Sequence, residues 1–418
     1  LRRGTELRPR FAFCTGDVTS CHGMQSGESR TAMSTLDVTA AVRERYSAAA
    51  QQAEAALCCP VEYRPEYLAA IPDEVLERDY GCGDPSRWLE PGETVLDLGS
   101  GGGKICFIAA QVVGPQGRII GVDANDEMLA LARRHQPAVA ANIGYANVEF
   151  RKGRIQALAL DLDAFEACLR EHPVATSGDW LRAEETARRL RQTRPLIPTG
   201  SVDVVVSNCV LNLVGEEDRR QLFHEVFRVL REGGRAVISD IVCDEEVPEE
   251  LRRDPKLWSG CISGAFREDR FLDAFTEAGF YGAEIVDRQS EPWMVVEGIE
   301  FRSLTVRAFK GGEGPELDRR QAVIYQGPWE RVFDDEGNCL VRGRRMAVSD
   351  RQYDRYTRAP YAEHITPVAP AVEVPVESAA AFSDDRSPLR DPRETKAGTD
   401  GPLTILSTAY CCGPSGSC

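Results

Sequence analysis

Two kinds of residue in this chain can do chemistry, and they differ in character. Residues 95–103 read VLDLGSGGG, in which Gly99, Gly101 and Gly103 alternate behind an aspartate, Asp97. Glycines so placed let the backbone turn tightly and let a ligand approach main-chain N–H groups at a helix start. Asp123 closes the next apolar run, IIGVD. That is the distance at which a βαβ unit offers a carboxylate to ribose hydroxyls. The second kind is the thiol. Cys209 lies in SNCVLNLV directly after the apolar run VDVVV, Cys261 in WSGCISGAF, and Cys82 in RDYGCGDP. Thiolates are soft ligands that select thiophilic centres over Mg²⁺ or Ca²⁺.

A dinucleotide fingerprint G-x-G-x-x-G laid on Gly99 and Gly101 needs a glycine at position 104, where the chain has Lys104. The run fits D-x-G-x-G-x-G instead, the nucleoside-binding loop of S-adenosyl-L-methionine (AdoMet) methyltransferases. AdoMet is therefore the expected cofactor, held by Asp97, Gly99, Gly101, Gly103 and Asp123, with Met128, Ile155 and Asn208 as further contacts. For Met128 core packing is an equally good reading. Cys209 should project from the carboxyl end of a sheet, where open α/β folds bind ligands, and Cys261, in another small-residue loop after a later strand, can reach the same pocket. A methyl donor facing thiols suggests an acceptor held by sulfur.

Residues 37–57, rich in Ala, Glu and Arg, predict an N-terminal helix. From residue 93 strands and helices alternate. Strands are expected at 94–98, 118–122, 148–152, 202–206 and 235–239, and helices at 104–113, 126–134 and 217–230, with a Gly233-Gly234 turn. A helix at 270–278 and strands near 283–286 and 303–309 follow. This alternation implies an α/β fold, a mainly parallel sheet covered on both faces, interrupted by a helical insertion at 156–200. The division that results is an extension at 1–36, a cysteine-bearing helical segment at 37–92 and a cofactor domain at 93–310. A small antiparallel β domain at 316–356, an unpacked linker at 357–410 and a cysteine-rich tail at 411–418 complete it.

Lys plus Arg total 50 against 66 Asp plus Glu, a formal charge of −16 that repels nucleic-acid phosphate and anionic lipid. No run approaches the roughly 20 apolar residues of a bilayer span, and no secretory signal follows the basic first residues. A cytoplasmic, reducing address without nucleic-acid or membrane partners is expected. The 14 cysteines include the adjacent pairs Cys58-Cys59 and Cys411-Cys412. They lack the C-x(2–4)-C or Cys/His spacing of a zinc module, so no structural metal is expected.

The three cysteine contexts, the glycine loop with its KICF continuation, FRSLTVRAFK, and AVIYQGPWERVFDDEG with its closing VRGRRMAV resemble the arsenite methyltransferase family across about residues 58–350. The resemblance implies a Rossmann-like class I methyltransferase sheet and AdoMet-dependent methylation of trivalent arsenic. It makes Cys209 and Cys261 the thiolates that hold As(III), with Cys82 a third ligand and participant in thiol exchange. The arsenic lone pair attacks the sulfonium methyl in line, giving S-adenosylhomocysteine (AdoHcy) and a methylated arsenical. An acceptor that already carries an electron pair needs no strong general base, so catalysis is positioning and desolvation. If methylation formally oxidises arsenic, a cysteine pair can return two electrons, leaving a disulfide for thioredoxin or glutathione to reduce.

Either Cys58 or Cys59 takes the place of the family's fourth cysteine as an accessory arsenic ligand. The tail thiols Cys411, Cys412 and Cys418 either capture arsenite and pass it inward or take no catalytic part. Cys106, Cys168, Cys243 and Cys339 read as structural thiols. The insertion and linker resemble a bacterial subgroup associated with arsenosugar biosynthesis, so arsenic detoxification and arsenosugar precursor synthesis are both open. Nothing calls for more than a monomer. Two other readings compete: an AdoMet enzyme with a different small-molecule acceptor, whose methyl transfer survives loss of Cys209, and a thiol-rich sequestering protein, which retains arsenite but makes no AdoHcy.

Overall fold

The computed structural model describes residues 38–52, 54, 61–312, 314–383 and 387–396. Ahead of the sheet come helices α1 (Val38–Ala49), α2 (Pro65–Leu68) and α3 (Asp73–Glu77). The first is shorter than the 37–57 expected, ending in a turn at residues 50–52. The alternating region then supplies strand β1 (Thr94–Leu98), helix α4 (Lys104–Val113), β2 (Arg118–Asp123), α5 (Asp126–Ile143) and β3 (Val148–Lys152). The insertion is the helix pair α6 (Leu162–Glu171) and α7 (Ser177–Thr193), the second opened by a Thr176–Asp179 capping box. Next come β4 (Val202–Asn208), α8 (Glu216–Val229), β5 (Leu230–Cys243), and the short helices α9 (Glu249–Arg252) and α10 (Pro255–Ser259). They are followed by β6 (Phe266–Arg267), α11 (Glu268–Glu277), β7 (Phe280–Arg288), β8 (Met294–Val296) and β9 (Ile299–Lys310).

The main sheet runs β3-β2-β1-β4-β5-β9-β7, with β6 on β5 and β8 on β9. Pairing is parallel from β3 to β5 and antiparallel where β9 joins β5 and β7. The strand order reverses between β1 and β4, and a crevice opens at the carboxyl ends of such strands. Alternate side chains serve opposite faces. Val95, Val204 and Val206 lie under α4 and α5 with Phe107, Ile108 and Leu129. Leu96, Leu98 and Val205 lie under α8 and α11 with Leu222, Phe223, Phe271 and Phe275. Each such side chain, fully buried, stabilises the fold by about 1.5–3 kcal/mol. Among the described residues no helix is long and apolar enough to cross a membrane.

Three expectations need correction. Helix α5 does not stop at Arg134 but runs through Pro137 to Ile143 and ends at Gly144, which takes φ 87°. The proline removes one N–H, yet Val139 beyond it is buried in the α4/α5 core, and that packing carries the helix onward. Gly233-Gly234 is not a turn between separate elements. Strand β5 pairs Leu230 with Val202 and then Arg235 with Val204, so the glycines form an excursion inside one strand.

The third correction concerns the C-terminal region. Strands β10 (Leu317–Asp318), β11 (Ala322–Tyr325), β12 (Arg331–Phe333), β13 (Cys339–Val341) and β14 (Arg345–Ala347) and helix α12 (Asp350–Tyr356) form the expected antiparallel unit. The turn at Asp335-Glu336-Gly337 joins β12 to β13. Residues from 357 on are not an unpacked linker where they are described. Strand β15 (Ile365–Val368) pairs with β11, and β16 (Ala380–Ala381) with β10. Arg390, just before α13 (Pro392–Thr395), is buried and paired with Asp318 and Glu394.

Candidate active site

The glycine loop leaves β1 and is tied down at once, because Gly99 and Ser100 N–H both donate to the Val122 carbonyl, at 2.8 and 3.1 Å. Gly99, Gly101 and Gly103 all have positive φ, 68°, 50° and 92°. A Cβ on Gly99 would stand 2.4 Å from Val210, and one on Gly103 2.7 Å from Phe150, whereas Gly101 faces open space. Asp123 steadies the loop by accepting from Gly101 N–H at 2.9 Å and from Asn125 N–H at 2.8 Å. Burial raises its pKa against the pull of these bonds. Asp97 is more deeply placed: burial pushes its carboxyl up to about 7 against the pull of its bond to Cys106, whose thiol donates at 3.1 Å. Cys106, expected only to pack, is thus the partner of the motif's aspartate.

Beside this loop lies a cavity of about 380 Å³, in the range of small-molecule sites. Asp97, Gly99, Gly101 and Asp123 line it, as do Met128, Ile155 and Asn208. Gly103 does not: it is the N-cap of α4, turned against Phe150 and Phe107. Met128 fills both roles open to it, because it also packs with Ala49, Ala50 and Tyr80. Asn208 borders the cavity, but its side chain is already committed. Its Oδ1 accepts from Cys82 and Gly83 N–H at 2.9 and 3.0 Å, and its Nδ2 donates to the Gly83 carbonyl at 2.8 Å. Ser100, which sequence reasoning passed over, has a buried hydroxyl with no hydrogen-bond partner in the same wall. An orphaned hydroxyl, an open glycine and a ribose-height carboxylate fit AdoMet.

The thiols converge. Cys82 and Cys209 Sγ and an Asp240 carboxylate oxygen lie within 4.8 Å of one another. The Cys261 thiol donates to the Cys209 carbonyl at 3.3 Å. All three cysteines are buried, and Cys209 also lines the cofactor cavity. They arrive from separate places: the loop after α3, the end of β4, and the turn after α10 rather than directly after a strand. Glycines make room, since a Cβ on Gly81 would meet Asn208 at 2.2 Å and one on Gly83 would meet Ser239 at 2.6 Å. Cys209 and Cys261 each take φ 63°, a left-handed conformation that costs a non-glycine residue about 1–2 kcal/mol.

Asp240 and Tyr46 complete the sulfur site, and neither carries a motif that sequence reasoning could use. Buried near the carboxyl end of β5, Asp240 accepts from Leu211 and Ile241 N–H, both at 2.8 Å, and from the Asn212 amide at 2.8 Å. It thereby fixes the turn after Cys209, and burial pushes its carboxyl up to about 6. Tyr46, on α1, lines the cofactor cavity and lies near enough to Cys261 to pull that thiol's pKa downward. The neighbouring Cys261 thiol lowers the Cys209 pKa, but the Cys82 thiol and burial outweigh it, so the Cys209 thiol lies well above its usual value. Cys261 is raised by the nearby Cys209 thiol and by burial. Both rest as neutral thiols at pH 7. Cys58, Cys59 and the tail thiols Cys411, Cys412 and Cys418 lie outside the described residues.

Comparison with known proteins gives the family. A methyltransferase domain model matches residues 89–197 and 178–279, and a domain of unknown function matches residues 312–400. Arsenite methyltransferase from Halobacterium salinarum is 35% identical over 315 residues, covering 69% of this chain and 69% of that protein. Arsenite methyltransferase from Aquipseudomonas alcaligenes is 34% identical over 284 residues, 65% of this chain and 71% of that protein. The arsenic (III) S-adenosylmethionine methyltransferase from Chlamydomonas reinhardtii, a crystal structure, superposes with a TM-score of 0.50 at 27% identity, covering 77% of this chain and 100% of that one.

Proposed function

This chain belongs to the arsenite methyltransferase family, and from that premise we propose that Cys82, Cys209 and Cys261 are the thiols on which it methylates As(III) with AdoMet. The observation that carries the assignment is that three buried thiols from separate segments gather at Cys209, which lines the cavity: the Cys82 sulfur lies within 4.8 Å of the Cys209 sulfur, and the Cys261 thiol reaches the Cys209 carbonyl at 3.3 Å. Loading needs no base of its own. As each S–As bond forms, an As–O bond of arsenous acid breaks, and the thiol proton leaves with the hydroxide as water. Three thiols and As(OH)3 thus give a neutral As(SR)3 and three waters. Neutrality matters in a site where burial raises the Cys209 and Cys261 pKa values and Asp240 already places a carboxylate.

Asp97, Ser100, Gly101 and Asp123 would hold AdoMet, which would supply an electrophilic sulfonium methyl. The protein's part is to aim the arsenic lone pair at it and to keep water out, which the burial of all three thiols achieves. Methyl transfer to the neutral complex leaves a cationic, formally oxidised CH3–As(SR)3. Two of its As–S bonds break as an S–S bond forms, which returns an electron pair to arsenic. Water then gives arsenic a hydroxide and releases a proton, so that a neutral As(III) product remains on the third thiolate. Cys82 and Cys209, whose sulfurs lie within 4.8 Å, are placed for this. The disulfide then needs an external dithiol or glutathione, consistent with a cytoplasmic setting in which the described cysteines are free thiols.

Arsenic speciation of a reaction holding AdoMet, arsenite, glutathione and thioredoxin tests the assignment. The native chain should produce methylated arsenic and AdoHcy, and Cys209→Ser should produce neither while still binding AdoHcy. Methylarsenicals formed by Cys209→Ser at the native rate would overturn it.

A further inference from the structure

Lys104 is the first residue of α4, directly after the glycine loop, and it is 8% exposed. The position is electrostatically wrong, since a helix N-terminus carries partial positive charge and favours anions. A residue that breaks a local rule this way is offset by something nearby. Here the ammonium pairs with Asp79 and stands 4.0 Å from the centre of the Tyr63 ring. Both partners hold the segment that carries Cys82. Asp79 Oδ2 also accepts from Gly81 N–H at 3.2 Å, and Tyr63 donates its hydroxyl to the Gly83 carbonyl at 2.9 Å. Cys82 therefore sits between two residues each fixed through a neighbour of Lys104. On its other side the segment faces the cofactor: Asp79, Tyr80 and Gly81 all line the AdoMet cavity.

We propose that Lys104 is a positioning residue that ties the AdoMet loop to the Cys82 loop, so that cofactor occupancy and arsenic capture at the third thiol favour one another. The path is made of direct contacts, from Gly103 through Lys104 and Asp79 to Gly81 and Cys82. A ligand against the glycine loop and the Asp79 wall acts on both ends of it. With the tie cut, each site still binds its own ligand, but neither reports on the other. This rests on the assignment of Cys82 as an arsenic ligand.

The test is the ratio of AdoHcy dissociation constants without and with bound As(III), measured by calorimetry on the full chain. Coupling of the usual size makes that ratio about 5-fold or more in the native protein, and by linkage AdoHcy tightens As(III) equally. Lys104→Met should bring the ratio to about one with AdoHcy binding otherwise kept, and Lys104→Arg, which can still bridge to Asp79, should retain it. A merely structural lysine would lower the melting temperature and weaken both ligands without changing their ratio. Should K104M not fold, Asp79→Asn keeps an acceptor for Gly81 N–H and must abolish the coupling by itself. A native ratio of one, or a native-sized ratio in K104M or D79N, overturns the tie. Arsenic X-ray absorption on the native protein separates the two claims: three sulfurs at arsenic with no coupling sinks the tie alone, while fewer than three sinks the Cys82 assignment and the tie with it.

Discussion

The cofactor cradle and the sulfur cluster sit side by side, yet they are built by opposite means. Asp97 to Asp123 is one continuous βαβ stretch, and every positive φ in its loop falls on a glycine, which adopts it freely. The cluster draws on three segments, at residues 82, 209 and 261, and two of its positive φ angles fall on cysteine, which does not. Surrounding bonds hold those angles in place: Cys209 N–H donates to the Ser239 carbonyl at 2.8 Å and Cys261 N–H to the Trp258 carbonyl at 3.0 Å. Where only backbone shape is needed glycine is used, and where a sulfur is needed the fold tolerates strain to aim it.

Although Lys104 couples the two sites when both are occupied, their separate construction means that each should fail separately when its ligand is tested alone. The largest effect is expected at the thiols. Cys209→Ser or Cys261→Ser should reduce arsenic methylation about 100-fold or more, as misplacement at a reacting centre does, with AdoHcy binding within about twofold of native. Asp123→Ala should do the reverse. Losing hydrogen bonds to a charged group should weaken AdoHcy about 10- to 100-fold, while arsenite still titrates the thiols stoichiometrically. Loss of both ligands in either variant would break the separation.

Smaller effects sharpen the backbone contrast. Gly103→Ala must place a methyl 2.7 Å from Phe150 at φ 92°, and chemical denaturation should show a loss of about 2–4 kcal/mol. Cys209→Gly and Cys209→Ala both remove the sulfur, but only glycine accepts φ 63° without strain. The glycine variant should be the more stable by about 1–2 kcal/mol, and equal stabilities would mean that the cysteine is unstrained.

The smallest effect is a pH dependence at Asp97. Its pKa of about 7 in the folded chain exceeds the ordinary carboxylate value of 3.8, so the native state keeps a proton that the unfolded chain has released. The stability this group contributes is complete below about pH 4 and is lost as pH rises through about 7. The melting temperature of the native chain minus that of Asp97→Asn should fall across this window, and a flat difference would show that Asp97 is ionised throughout.

The cradle was legible in sequence because its parts are neighbours along the chain: strand, glycine loop, helix, strand and terminal acid follow in order. Even there Gly103 turned out to be a helix cap and Asn208 an anchor for the Cys82 loop, since which side of a residue meets the cavity depends on elements arriving from elsewhere. The C-terminal region was misread for a related reason. Its Pro-, Ala- and Ser-rich composition suggests a linker, but pairing of β15 with β11 and the buried Arg390 hold it through backbone bonds and ion pairs to Asp318 and Glu394, neither of which composition reports.

From the sequence alone came the parallel sheet and the cofactor motif, set by local periodicity and residue type, and the three cysteines, singled out by their contexts and the family resemblance those contexts carry. Tertiary structure decided that the cysteines meet, that Asp240 and Tyr46 stand against them, and that Lys104 joins the two loops. Those are contacts across a hundred or more residues in several cases, Cys82 to Cys209 among them. They exist only once β4 and β5 are packed in register and the loops at their carboxyl ends are brought together.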